Sequence, residues 1–292
     1  MSGLPSSEIQ VICSDIAQDP VVFIRHFCLN VGMAQNSGYR ERNSTADRAL
    51  TILQMFGDAR PEVSAVDVAE LLGVARSTAY RYLQTLVQSQ FLVDTGRGTF
   101  RLGLRILELA RIARGGLRLA DLAVPRMKAL AERHHQTVLL TKQMGATVIC
   151  LEREESRTQY VRLSYERGSI LSMNAGASAL VLFAWLPEDE VRKLVAATPL
   201  TRFTARTITD PDELIARLAE IRAEGLAVTD GEVDMTAMGI AAPIFNASGT
   251  VVAALSIVLI RSLVDEALIP GIIESVVETA RELSTEAALL DR

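Results

Sequence analysis

Between Arg76 and Leu86 the chain reads Arg-Ser-Thr-Ala-Tyr-Arg-Tyr-Leu-Gln-Thr-Leu, a run rich in hydroxyls, amides and guanidinium groups. On a helix, Ala79, Leu83, Leu86 and Val87 recur at i, i+4, i+7 and i+8 and form one apolar stripe. Ser77, Tyr80, Arg81, Gln84 and Gln88 then point the other way. Such a face carries the donors that phosphates and base edges accept. Arg76, Ser77, Thr78, Tyr80, Arg81, Gln84 and Thr85 are therefore candidate DNA contacts. Arg97 joins them from the tip of Thr95-Gly-Arg-Gly-Thr99, placed like a wing that touches backbone or minor groove. Between residues 76 and 105, five arginines face Asp94 alone, a local charge of +4 in a chain whose net charge is −5. Upstream, Asp47, Asp58, Glu62, Asp67 and Glu70 offset that excess, which polarises the segment toward one basic face.

A second chemistry deserves weighing. Glu152, Arg153, Glu154 and Glu155 form a charge cluster, and Glu232 and Asp234 would share one face of a strand, a spacing suited to acid–base work. No histidine follows His135, however, and neither a Gly-x-Ser-x-Gly motif nor a phosphate-cradling glycine loop is present. The reading is a chain that is not an enzyme. Cys13, Cys28 and Cys150 are far apart, and with His26, His134 and His135 they provide no clustered zinc ligands. Neither metal nor cofactor is expected.

The elements that must position these groups follow from local signals. Residues 1–43 lack helical or strand periodicity and read as a flexible N-terminal extension; either Met33 is the true start or the first 32 residues are a mobile arm. Ser44 or Thr45 caps a helix through Phe56, a second runs from Val66 to Leu72 and stops at Gly73, and the third extends from Arg76 to Gln88. The last two form a helix-turn-helix, whose second helix enters the major groove. Phe91–Asp94 and Phe100–Leu102 read as the two strands of a glycine-tipped hairpin. These signals divide the chain into a winged helix-turn-helix domain at 44–103, a linker helix at 104–118 and a second domain at 119–292.

That second domain alternates strands and helices. Strands are predicted at 137–142, 147–152, 159–164, 226–230, 239–245 and 251–259, and helices at 119–134, 175–186, 210–224 and 271–290, with a further short helix starting at Pro187. Asn246-Ala-Ser-Gly249 links two consecutive strands as a tight turn, so the sheet is antiparallel and the class is α+β. At 292 residues, 49% hydrophobic and 22% charged, the chain suits two globular domains. Its longest strongly apolar run, Val251–Ile260, falls well short of the about 20 residues that span a bilayer, and no basic segment precedes an apolar stretch near the start. A cytoplasmic protein without membrane contact is expected.

Longer stretches carry a resemblance. Ala49-Leu-Thr-Ile-Leu53, Val68 through Leu86, Phe100-Arg-Leu-Gly103, Gly168 to Leu186, Leu218 to Gly225, and Ile240 to Asn246 with Gly249 together resemble the IclR family of bacterial transcription regulators. The resemblance implies a winged helix, a linker helix and an effector-binding domain with a GAF- or profilin-like antiparallel sheet flanked by helices. It implies a homodimer or dimer of dimers on a palindromic double-stranded operator, acting as repressor or activator of a catabolic operon and sensing a small organic acid. Carried over onto this chain, Leu171, Ala177, Ser178, Thr229, Gly239 and Ser256 would face the effector, with Asp230 adjacent. Ser178, Ser256 and backbone N–H groups near Gly176 would hold a carboxylate. The chain departs from the family pattern where Ala179-Leu180 replaces Gly-Lys, Thr229 an acid, Gly239 a cysteine and Val258 a serine. These changes imply a larger, less polar pocket suited to an aromatic or longer acid. The alternative function is an enzyme, or a sensor that does not bind DNA, built on the second domain.

Overall fold

The computed structural model describes residues 44–57, 59–115, 118–156 and 165–290. They divide into two compact units, one before and one after residue 116. The N-terminal extension and the strand expected at 159–164 lie outside the described residues.

In the first unit, α1 (Ser44–Leu53) is followed by β1 (Glu62–Ser64), α2 (Ala65–Leu72), α3 (Arg76–Gln88), β2 (Leu92–Asp94), β3 (Thr99–Leu102) and α4 (Leu104–Gly115). Ile52, Met55, Val63, Val68, Ala79, Leu83, Leu86, Leu92 and Phe100 form its core. Helix α1 stops at Leu53, short of the expected Phe56, because the chain turns at Gln54–Met55 and buries Met55. Strand β1 is an addition to the expected hairpin. It pairs antiparallel with β3, Val63 opposite Phe100, giving a three-stranded sheet in the order β1-β3-β2. Ser64 also caps α2: its Oγ accepts from Asp67 N (3.3 Å) while its own N–H donates to Asp67 Oδ2 (2.7 Å). At the other end Gly73, with φ 62°, takes the left-handed conformation that turns the chain into α3.

The second unit runs α5 (Arg118–His134), β4 (Thr137–Met144), β5 (Thr147–Glu155), β6 (Ile170–Ser172), α6 (Ala177–Phe183), α7 (Glu188–Ala197), α8 (Pro211–Glu224), β7 (Ala227–Asp230), β8 (Ala237–Phe245), β9 (Val251–Ile260) and α9 (Ile269–Leu290). Its sheet, ordered β6-β5-β4-β9-β8-β7, is antiparallel at every pairing. Strand alternation sorts the side chains. Ala253, Leu255, Ile257 and Leu259 of β9 pack with α5 and α9, while Ala254 and Val258 join the cluster containing α6 and α8. Covered on both faces, β9 reads as an unbroken apolar run rather than an alternating one.

Helix α8 follows its local code: Asp210 accepts from the N–H groups of Asp212 and Glu213, Pro211 opens the first turn, and Gly225 closes the helix in the left-handed region. Helix α6 is shorter than the expected 175–186, and all seven of its residues are buried, so no polar face marks its ends. Strand β6 was not expected. Among the described residues no helix is long and apolar enough to cross a membrane.

Candidate DNA-binding face and ligand pocket

Helix α3 packs through Ala79, Leu83 and Leu86, with Val87 half-buried, and this stripe orients everything else on it. Arg76, Ser77, Tyr80, Arg81 and Thr85 are exposed, and Thr78 and Gln84 are partly so. Two of these side chains have structural work. The Tyr80 ring meets Phe100 edge-on at 6.1 Å between centroids, tying α3 to β3, and Thr85 Oγ1 donates back to the Arg81 carbonyl (3.0 Å). Tyr82, not among the candidates, accepts from Arg48 Nη1 (2.9 Å) and holds α1 against α3.

Arg97 is exposed at the hairpin tip between Gly96 and Gly98. Asp94 Oδ1 accepts from Gly96 N (2.8 Å), so the one acid of the segment is engaged in shaping the turn. Arg76, Arg81, Arg97 and Arg101 have no ion-pair partner among the described residues, whereas Arg105 is paired with Glu108 at 2.7 Å. Four guanidinium groups without an ion-pair partner on one short segment have the chemistry that phosphates accept.

In the second unit, the start of α6 and the inner face of the sheet form a partly open cavity of about 30 Å³. Leu171, Ala177, Ser178, Thr229, Gly239 and Ser256 all line it, brought together from β6, α6, β7, β8 and β9. Asp230 does not; its carboxylate pairs with Arg206 at 2.9 Å. Leu139, Tyr165, Gly176, Glu232, Val233, Ala237 and Val258 also line it. Val258 stands at the pocket position where the family pattern has a serine, and Leu139 is the antiparallel partner of Ser256 on β4. Tyr165 and Glu232 had no such local signal as lining residues.

The cavity's polar groups are already engaged with one another. Ser178 Oγ and Ser256 Oγ are 2.7 Å apart, Ala177 N donates to Thr229 Oγ1 (3.2 Å), and Gly176 N donates to Glu232 Oε2 (3.0 Å). The backbone donors near Gly176 are thus met by the protein's own side chains. A Cβ at Gly239 would stand 3.0 Å from Thr229 Oγ1 and 3.1 Å from Ala177 Cβ, so a larger residue there would crowd the α6 contact. Burial pushes the Glu232 carboxyl pKa up, against the opposing effects of the Gly176 hydrogen bond and Arg217. At about 30 Å³ the innermost space suits roughly two waters.

Comparison with known proteins bears on both regions. Residues 45–96 match the model of the IclR helix-turn-helix domain, and residues 113–285 match the bacterial transcriptional regulator IclR C-terminal domain. The chain belongs to the IclR family. It is 30% identical over 243 residues to the HTH-type transcriptional regulator XynR of Escherichia coli, covering 82% of this chain and 95% of that protein. The Pca operon regulatory protein of Acinetobacter baylyi is 30% identical over 244 residues, covering 81% and 86%. Among solved structures, an IclR homologue from Microbacterium hydrocarbonoxydans complexed with 4-hydroxybenzoate superposes with a TM-score of 0.69 at 28% identity, covering 83% of this chain and 98% of that one. This IclR chain is a helix-turn-helix transcription regulator, and its relatives are named as regulators.

The carboxylates weighed for catalysis are differently disposed in this IclR regulator. Residues 231–236 form a loop between β7 and β8, not a strand; Glu232 faces the cavity while Asp234 is exposed and accepts from Thr236 N (2.8 Å). The two do not work as a pair. In the other cluster, Arg153 bonds Glu155 and Glu166, and Arg167 pairs with Glu152 and Glu154, so the charges neutralise one another. No group of three metal-ligating side chains occurs among the described residues.

Proposed function

We propose that this regulator reads a double-stranded operator through Arg76, Ser77, Thr78, Tyr80, Arg81, Gln84 and Thr85 of α3 and Arg97 of the wing, and that a small organic acid in the α6 cavity alters its grip. The division 44–103, 104–118 and 119–292 assigns reading, linking and sensing. The observation that carries the sensing role is the convergence of Ser178, Thr229 and Ser256 hydroxyls on a mainly aliphatic cavity. Such a site orients a carboxylate by hydrogen bonds and excludes water from the rest of the ligand. The Microbacterium relative's 4-hydroxybenzoate and the Pca regulator favour an aromatic acid and a catabolic operon. An aromatic ring is larger than the cavity of about 30 Å³ and requires it to widen.

The regulator acts in the cytoplasm as a homodimer or dimer of dimers. Supporting the pairing, α4 exposes Leu104, Leu107 and Ile112 (77%, 66% and 55%), an apolar set that a second copy would cover. Half-site spacing in a dimer is set by geometry, so a small shift transmitted along α4, which joins the two units in sequence, changes operator affinity. Couplings of this kind amount to about 1–3 kcal/mol. A thermal-shift screen of organic acids tests the reading, since a ligand at roughly 100 times its dissociation constant stabilises by about 2.7 kcal/mol. Hits should then change the affinity for promoter fragments by about 5- to 150-fold. If no acid shifts melting and operator binding is indifferent to all of them, the sensing role fails.

A further inference from the structure

Among the described residues, the ligand cavity is lined by a carboxylate and by no basic side chain. Among its described lining residues, Glu232 bears a formal charge, Tyr165 is a phenol whose pKa burial pushes up to about 12, and the others are hydroxyl, aliphatic or glycine. Among the described residues, the surroundings compensate only in part, through the Gly176 N–H and the nearby Arg217 charge. On α8 the Arg217 guanidinium is occupied by Glu220 (3.0 Å) and the Val228 carbonyl (3.0 Å), and Arg206 is occupied by Asp230 (2.9 Å). Asp234, on the same loop as Glu232, turns to solvent and is kept ionised by hydrogen bonds from Thr236 N and Oγ1. The α6 side supplies the Gly176 N–H to Glu232 Oε2, and β4, β6, β8 and β9 supply Leu139, Leu171, Ala237, Gly239, Ser256 and Val258, none of them charged.

An organic anion sharing this small space with Glu232 brings a second negative charge close to it, and two carboxylates in one site each disfavour the other's ionised form. We propose that the pocket takes its acid together with one proton, held between the ligand carboxylate and the Glu232 carboxyl, so that Glu232 makes effector affinity rise as pH falls. The proton comes from solvent: a monoanionic ligand and ionised Glu232 bring two negative charges, and the complex keeps one. Burial already raises the pKa of this carboxyl, which favours a proton on Glu232. The inference rests on the reading of the cavity as an organic-acid site and adds to it the residue that sets the acid's charge state.

The test is calorimetric titration of the full chain with acetate, pyruvate, benzoate and 4-hydroxybenzoate between pH 6 and 8, beside E232Q and S178L. Glutamine retains an acceptor for Gly176 N, so E232Q should fold. For any acid that binds, wild-type affinity should rise by up to about tenfold per pH unit on acidification. In E232Q the dependence should flatten, and affinity at pH 8 should exceed wild type. Titrations of the wild type in two buffers of different ionisation enthalpy should show uptake of close to one proton, an independent readout that needs no variant. Acid binding with no proton uptake, or with the same pH slope in E232Q, overturns the role of Glu232 while leaving the pocket intact. Binding that survives S178L, or no binding by any acid to either protein, overturns the pocket reading itself. Tighter binding of an amine-bearing control such as 4-hydroxybenzylamine than of every acid would show that Glu232 serves as a counter-ion, and the proposal would fall.

Discussion

The Tyr80 ring stands edge-on to Phe100, 6.1 Å between centroids and 69° between planes, and thereby joins the exposed face of α3 to the middle of the wing sheet. Phe100 is itself buried, opposite Val63 of β1. A side chain that belongs by exposure to the candidate DNA contacts is thus also part of what holds the wing.

Separating those two roles needs two substitutions. Tyr80→Ala should lower stability of the first unit by about 0.5–1.5 kcal/mol through loss of the ring pair, beyond the area it covers. Tyr80→Phe should keep the melting temperature and lose only what the hydroxyl contributes to operator binding. Thermal unfolding beside operator titration resolves the two; equal melting of all three proteins would deny the ring pair a structural role.

Arg81 and Arg97 should fail differently. If Arg81 reads a base, Arg81→Ala weakens operator binding by about 1–3 kcal/mol and relaxes sequence preference. Arg97→Ala, at the wing tip, should weaken all sequences alike and reduce the salt slope by about one. Fluorescence anisotropy over a range of salt concentrations measures both, and unchanged binding throughout would remove the residue from the interface.

In the pocket, Ser178 is buried and its Oγ is 2.7 Å from Ser256 Oγ. Ser178→Leu fills a cavity of about 30 Å³ and should abolish the effector response while sparing operator affinity. The milder Ser256→Ala leaves Ser178 without its partner, at about 1–3 kcal/mol if nothing replaces the bond. An intact response in the leucine variant would place the effector elsewhere.

Cys150 gives a chemical probe of the second unit. Burial, with Glu152 nearby, pushes its thiol up to about 11. At pH 8 roughly one molecule in a thousand then carries the reactive thiolate, against about one in four for a free cysteine. Peptide-resolved alkylation should find Cys150 protected in the native protein and modified after denaturation. Rapid native labelling would show that β5 opens readily.

Helices were the most legible elements. The full extents of α3 and of α8, with its Asp210, Pro211 and Gly225 signals, are written in residues that touch one another along the chain, because caps and a 3.6-residue period act over one or two turns. Strands β1 and β6 escaped notice because three residues are too few to display alternation; each exists only because β3 or β5 offers it a partner. Helix α6 was overextended for the opposite reason, since complete burial erases the polar face that locates helix ends.

By its own patterning, then, the amino-acid order determined a basic, hydroxyl-rich helix behind a glycine turn and an antiparallel domain after it. Tertiary structure alone decided the interior of the pocket. Ser178 and Ser256 are 78 positions apart and Gly176 and Glu232 are 56 apart, so their meeting depends on sheet register and on where the β7–β8 loop closes. That is why Glu232, legible only as half of a carboxylate pair, became the single formal charge among the described residues of the cavity wall: hydrogen bonding and burial are properties of neighbours in space, and no local period records them.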